Sequence, residues 1–464
     1  MEVTYRLNNL KTKPAAAATQ NACKLCSPLG AALVFKGIEG AIPLLHGSQG
    51  CSTYIRRYLI SHFKEPIDIA CSNFGEQTAI FGGGANIKLA LDNILEQYTP
   101  KLIGVATTCL AETIGDDVSM FIGQYRSGRP EDELPPMVHV STPSYQGTHM
   151  QGFHRAVLAT VKELTKSSIP ESSEVGVNLF SGMVSPADIR HLRMIFEAFG
   201  QNVMILPDYA KTLDGELWSE YQRIPAGGTT VQAIAAAGRA SASIELGRVL
   251  AKMDETAATF LEKRFNVPAY RLGLPMGIRR TDRLLHTLEQ ISGNPTPTAF
   301  TDARGRLLDA LVDGHKYVNG VRAVVFGEAD LVAGVVDFLS EIGVVPVVCA
   351  TGDDDGHLGP AVLESLDPKL HEKVKVIEGV DFVEIEDAVR AAQPDIMIGH
   401  SKGYSLARKL GIPLVRIGFP VHDRVGGSRL LHVGYDGAQA LFDRIANTLL
   451  ERRQAKSDVG YTYL

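Results

Sequence analysis

Residues 102–109 read Leu102-Ile103-Gly104-Val105-Ala106-Thr107-Thr108-Cys109, a short apolar run that stops at two threonines and a cysteine. Just before it, Ile87, Leu91, Ile94, Leu95 and Tyr98 recur at helical spacing and fall on one face. An amphipathic helix feeding a near-continuous apolar strand is the unit of a parallel sheet covered on both faces. The unit recurs along the chain. Val175-Gly176-Val177-Asn178-Leu179-Phe180 reads as a strand, and Ser185-Pro186 as N-cap and first helical position. That helix is expected to reach Phe199, where Gly200 stops it, and Val203 to Leu206 forms the next strand. Ala323-Val324-Val325-Phe326 starts a further unit, with a helix over Asp330 to Ile342, Gly343 as terminator and a strand over Val344 to Val348. Ile396-Met397-Ile398 then ends a strand ahead of His400-Ser401-Lys402-Gly403.

The pattern predicts an α/β protein of three doubly wound parallel-sheet domains. Expected limits are an N-terminal arm over 1–20, then domains over 21–170, 171–304 and 305–464. In such folds ligands gather at the carboxyl ends of strands, and Cys109 is predicted at such an end.

The 464 residues are 45% hydrophobic and 21% charged, with a net charge of −6. The chain has ample apolar material for several cores. No block of Lys and Arg suggests nucleic acid as a partner. No apolar run approaches the roughly 18 residues of a membrane span. The start, Met-Glu-Val-Thr-Tyr, lacks the pattern of an export signal, so the expected location is the cytoplasm.

Of the six cysteines, Cys23, Cys26, Cys51, Cys71 and Cys109 lie in the first quarter, and Cys349 stands apart. Clustered thiols in a large cytoplasmic chain read as metal ligands or as buried apolar side chains. Cys26 precedes Ser27-Pro28-Leu29-Gly30, Cys51 ends His46-Gly47-Ser48-Gln49-Gly50-Cys51, and Cys109 ends a strand before Leu110-Ala111-Glu112. Each is expected in a turn or at a helix start, where backbone N–H groups and the helix dipole favour a thiolate. Gly47 and Gly50 are expected to clear space for a bulky ligand. Cys23-Lys24-Leu25-Cys26 also resembles half of a zinc site, although no second pair follows at a zinc-ribbon spacing. A redox pair would follow a strand and open a helix, whereas this one follows a polar arm. Three thiolates are fewer than a lone iron–sulfur cubane takes from cysteine, so an iron–sulfur reading requires an interface with a second chain. His46 reads as a hydrogen-bonding group near Cys51 rather than a ligand. His400 and His422 have no nameable partner. Arg56, Arg57, Asp116 and Asp117 read as solvated charges or intersubunit pairs.

Cys26-Ser27-Pro28-Leu29-Gly30-Ala31, His46-Gly47-Ser48-Gln49-Gly50-Cys51, His62-Phe63-Lys64-Glu65-Pro66, Phe81-Gly82-Gly83 and Thr107-Thr108-Cys109-Leu110-Ala111-Glu112 occur in that order. Thr142-Pro143-Ser144-Tyr145, Arg304-Gly305-Arg306 and Arg416-Ile417-Gly418-Phe419-Pro420 continue the series. Together they resemble the β-type chains of nitrogenase component 1 and of its cofactor-assembly scaffold. The resemblance implies three Rossmann-like domains and an α2β2 assembly with a homologous α-type chain. It also implies an iron–sulfur cluster between α and β, either an 8Fe P-cluster type or a 4Fe-4S type, and an iron protein that delivers electrons with ATP. Carried over by motif, Cys26, Cys51 and Cys109 match the β-side cluster ligands. Ser144 matches a serine that ligates the oxidised cluster in some members. Cys23 and Cys71 match no ligand, and Cys349 reads as a buried thiol.

Two functions of different class remain. One is the β subunit of a working reductase, either a nitrogenase or a nitrogenase-like enzyme such as methylthio-alkane reductase. The other is the β-type subunit of the cofactor-assembly scaffold. Three thiolates plus Ser144 favour an eight-iron relay, because a four-iron cluster can manage with one thiolate from this side. The chain's brevity, and the wording of residues 35–40 and 52–58, point instead toward scaffold chains and nitrogenase-like reductases.

Overall fold

The computed structural model describes residues 21–130, 133–165 and 176–459. The arm expected over 1–20 and the first domain break, near 170, lie outside those residues.

Among the described residues three parallel sheets are present. The first contains β1 (Ala41–His46), β2 (Ala70–Cys71), β3 (Leu102–Thr107) and β4 (Met137–Val140), in the order β2-β1-β3-β4. The second contains β5 (Val177–Phe180), β6 (Val203–Ile205), β7 (Ala242–Leu246) and β8 (Ala269–Leu272), in the order β6-β5-β7-β8. The third contains β9 (Arg322–Phe326), β10 (Val345–Ala350), β11 (Lys375–Ile377), β12 (Ile396–Gly399) and β13 (Leu414–Arg416), in the order β11-β10-β9-β12-β13. Every strand pair is parallel.

β1 and β3 are buried at every residue, which explains their lack of polar alternation. Local chemistry sets the helix ends. Ser185 Oγ accepts a hydrogen bond from the Asp188 N–H, the Asp188 carboxylate accepts one from the Ser185 N–H, and Pro186 opens the helix Pro186–Ala198. One apolar cluster runs through all three sheets, including Leu45, Val177 and Ala323.

Each sheet reverses its winding direction once. In the first, the chain passes from β1 to β2 on one side and returns to β3 on the other. The switch point therefore lies between β1 and β3, whose ends pair as His46 with Thr107. In the third sheet it lies between β9 and β12, where Phe326 pairs with Gly399. Such crevices at the carboxyl ends of strands are where open α/β sheets bind ligands.

Candidate metal centre

Cys26, Cys51 and Cys109 each stand at the start of a helix. Cys26 is the N-cap of the helix Ser27–Lys36. Cys51 is in the first turn of the helix Gln49–Phe63. Cys109 opens the helix Cys109–Ile114 directly after β3. The positive ends of three helices thus face one region, which stabilises negative charge there. All three thiols are unpaired and half-buried.

The loop after β4 completes the arrangement. The Thr142 N–H donates to Thr107 Oγ1 at 2.9 Å, and Thr142 Oγ1 donates to the Thr107 carbonyl at 2.6 Å. These bonds hold Ser144 over the end of β3. The Ser144 N–H donates to Cys109 Sγ at 3.2 Å. Its Oγ accepts from the Ser27 N–H at 3.1 Å. Burial pushes the Cys26 thiol up, a hydrogen bond with Ser144 opposes this, and negative charge on Cys109 or Cys51 raises it further. Ser144 therefore sits between Cys26 and Cys109, and Cys51 lies close enough to act on Cys26 electrostatically. Ser48 Oγ donates to Cys51 Sγ at 3.5 Å.

Cys26 is fixed by close helix packing. A Cβ on Gly30 would fall 1.8 Å from the His149 carbonyl oxygen, and one on Gly152 would fall 1.9 Å from the Ser27 oxygen. Only two glycines let the helices Ser27–Lys36 and His149–Leu164 approach this closely. Upstream, residues 21–25 form a strap against the third sheet. The Cys23 N–H donates to the Val380 carbonyl at 3.3 Å, and Lys402 Nζ donates to the carbonyls of Ala22 and Lys24.

Several residues differ from expectation. Gly47 makes room for Thr108 rather than for a ligand, since a Cβ there would meet Thr108 Oγ1 at 1.9 Å; Gly50 does face open space. His46 makes no bond to Cys51. It pairs with Asp116 at 3.0 Å and meets the edge of Phe74, and burial pushes its pKa down against the pull of Asp116. Asp116 is neither solvated nor intersubunit, because it is buried between His46 and the Gly83 N–H. Asp117 caps the helix Val118–Ser127 by accepting from the Met120 N–H. Arg56 donates to the Ile67 carbonyl and pairs with Asp68 within this chain. Cys71 lies nearer the centre than its sequence context shows: its thiol donates to the Gly47 carbonyl at 3.3 Å and feels the charge of Cys51.

His400 has a partner after all. Its Nε2 is 3.7 Å from Cys23 Sγ, at the switch point of the third sheet. Glu328 lies in the same place, 3.4 Å from His149 Nε2. Burial pushes the Glu328 carboxyl up, but the His149 hydrogen bond and the charges of His149 and His400 hold it below the usual range. Burial pushes the Cys23 thiol well up and the Cys349 thiol up to about 12, so both behave as protonated core groups.

Among the described residues, no three His, Cys, Asp or Glu side chains converge as a single metal ion requires. Three thiols on three separate helix starts, all on one side, suit a larger iron–sulfur group whose other side is supplied elsewhere. Tyr54, close enough to Cys26 to feel its charge, is exposed, as are Leu110 next to Cys109 and Tyr145 next to Ser144, the last at 61%. Among the described residues no helix is long and apolar enough to cross a membrane.

The family model for nitrogenase component 1 type oxidoreductases matches residues 26–450. The molybdenum–iron protein β chain of Clostridium pasteurianum is 35% identical over 93% of this chain and 93% of its own length. That of Rippkaea orientalis is 35% identical over 98% of this chain and 88% of its own. Brevity therefore does not separate this chain from molybdenum–iron β chains. A chain of nitrogenase Cp1 at pH 6.5 superposes with a TM-score of 0.92, at 33% identity, over 97% of this chain and 98% of that one. A second, from nitrogenase Cp1 at pH 5, shares the fold with a TM-score of 0.69 at 16% identity. The chain belongs to the nitrogenase component 1 type oxidoreductases, an iron–sulfur family, as a β-type member.

Proposed function

We propose that this chain is the β-type subunit of a nitrogenase-like reductase, with Cys26, Cys51 and Cys109 holding half of an interfacial iron–sulfur cluster. The carrying observation is the set of three half-buried thiols at three helix starts, with Ser144 bonded between two of them. Tyr54, Leu110 and Tyr145 leave apolar surface exposed beside these residues, which a partner chain would cover. An α-type chain in an α2β2 heterotetramer fits that role. An eight-iron cluster of the P-cluster type would supply one-electron carriage from an ATP-dependent iron protein to a cofactor in the α-type chain. This chain's own part is to bind, orient and shield. The helix dipoles and the Ser144 N–H stabilise thiolate charge, and Ser144 Oγ offers a fourth donor beside Cys26. Six unpaired thiols suit a reducing compartment, the cytoplasm.

The alternative, a cofactor-assembly scaffold with a 4Fe-4S cluster, needs only one thiolate here and leaves the other two and Ser144 unexplained. One preparation tests both readings. The chain is purified with its partner, and iron per αβ unit is measured with spectra of reduced and oxidised forms. An eight-iron signature with turnover supports the reductase. A four-iron signature with transfer of a bound precursor supports the scaffold. Cys51→Ala should lower iron content and abolish electron transfer; unchanged iron and activity would overturn the ligand assignment.

A further inference from the structure

The carboxyl ends of β7 and β8 open into a cleft of about 500 Å³ that shares no residue with the cysteine site. Its cationic lining is Arg248, Lys252, Arg271, Arg279, Arg280 and Arg283. Only Asp337 and Glu364 oppose them in the lining. This concentration of positive charge belongs to a chain whose net charge is −6.

The cations exceed what the fold uses. Asp337 serves two guanidiniums at once: Arg280 Nε at 2.9 Å and Arg248 Nη1 at 3.3 Å. The Arg248 side chain is only 9% exposed. Its buried Nη2 lies 2.6 Å from the Glu364 carboxylate but has no aligned hydrogen-bond acceptor. Arg271 makes one long bond, to the Ala251 carbonyl at 3.4 Å. Neither Lys252 nor Arg283 has an ion-pair partner among the described residues. Arg279 and Arg280 occupy the first turn of the helix Gly277–Ser292, where Glu341 accepts from the Ile278 and Arg279 N–H groups and pairs with the Arg279 guanidinium, and Asp337 pairs with Arg280. Lys252, Arg271 and Arg283 are thus left without a carboxylate partner among the described residues, gathered at one concave site.

We propose that this cleft binds a small molecule carrying two or more oxyanion groups. Arginine forks match phosphate and carboxylate edges with paired hydrogen bonds. The volume is that of a metabolite pocket. Gly247 and Gly273 turn the chain at the two strand ends, where parallel sheets receive ligands. The anion would neutralise Lys252, Arg271 and Arg283, the cations that have no carboxylate partner among the described residues.

The test uses the purified complex with its partner subunit, in low-salt buffer free of phosphate and sulfate. Inorganic pyrophosphate and citrate are titrated separately by calorimetry. One anion is expected to bind once per copy of this chain, and which one binds distinguishes the phosphate class from the polycarboxylate class. Arg283→Ala and Lys252→Ala remove exposed, unpaired cations, so folding is retained. Each should weaken binding at least tenfold and leave the iron content unchanged. Arg306→Ala, outside the cleft, should bind as the parent does. No binding of either anion, or equal binding by parent and cleft variants, overturns the proposal. Loss of iron in Cys51→Ala with anion binding intact would separate this site from the cluster reading.

Discussion

The first and third sheets reverse direction in the same way, yet their switch points have opposite fates. Between β1 and β3 the two following helices start with Cys51 and Cys109, both half-buried and unpaired. Between β9 and β12 the chain fills the crevice itself, with Cys23 and His400 packed against Phe326 and Phe382, and Glu328 paired with His149, which lies near Phe419. Cys23 and Cys26 are three residues apart and fall on either side of this divide. One topology thus provides a binding site or a joint between domains, depending on whether its own chain plugs it.

That contrast can be broken by mutation. The largest effect is expected from Cys26→Ala, which should lose cluster iron and lower electron transfer by more than ~100-fold with little change in melting temperature, because it removes the proposed ligand from a half-buried position where little packing is lost. Retained iron would place Cys26 with Cys23 as a packing group. Glu328→Ala should cost about 3–5 kcal/mol, since it leaves His149 in the core without its carboxylate. Denaturant unfolding reads this directly, and a loss below about 1 kcal/mol would show that the plug is not a structural joint.

pH sharpens the comparison next. Burial holds His62 at about 3, and His154 and His400 at about 4. An unfolded histidine titrates near ~6.5. The unfolded chain therefore takes up protons that the folded chain refuses. Their contribution to stability is fully present above about pH 6.5 and falls as pH drops toward 4, by about 1.4 kcal/mol per pH unit for each histidine. Melting temperatures between pH 7 and 5 should fall, and His400→Gln should flatten the slope. An identical slope in that variant would show His400 to be solvated. The smallest effect is Cys23→Ala, a cost of about 1 kcal/mol with full iron content.

Much of the fold was legible in the sequence. β3, β9 and β12 are near-continuous apolar runs because both faces are covered, and Ser185-Pro186 gave its helix start by local chemistry alone. The three thiols were readable because each lies in a short turn motif. What was hidden is non-local. Asp116 looked solvated because its partner His46 is 70 residues away. His400 looked partnerless because Cys23 is 377 residues away. The cationic cleft escaped a search for basic blocks, since its arginines are spread from Arg248 to Arg283 and meet only when β7 and β8 pair. Cys71 gave no signal, because its approach to Gly47 depends on β2 pairing with β1.

The strap over residues 21–25 also bears on biosynthesis. Cys23 leaves the ribosome 377 residues ahead of His400, the group it packs against. At ~5–20 residues per second, that gap lasts roughly 20–75 s. Through that interval Leu25 is already held, its N–H and carbonyl both bonded to His149, whereas the strap's bonds to Val380 and Lys402 are not yet made. A truncated chain lacking Lys402 would therefore keep Cys26 seated by its helix packing while losing the clamp on residues 22–24, so a two-step ordering of this segment is built into the order of synthesis.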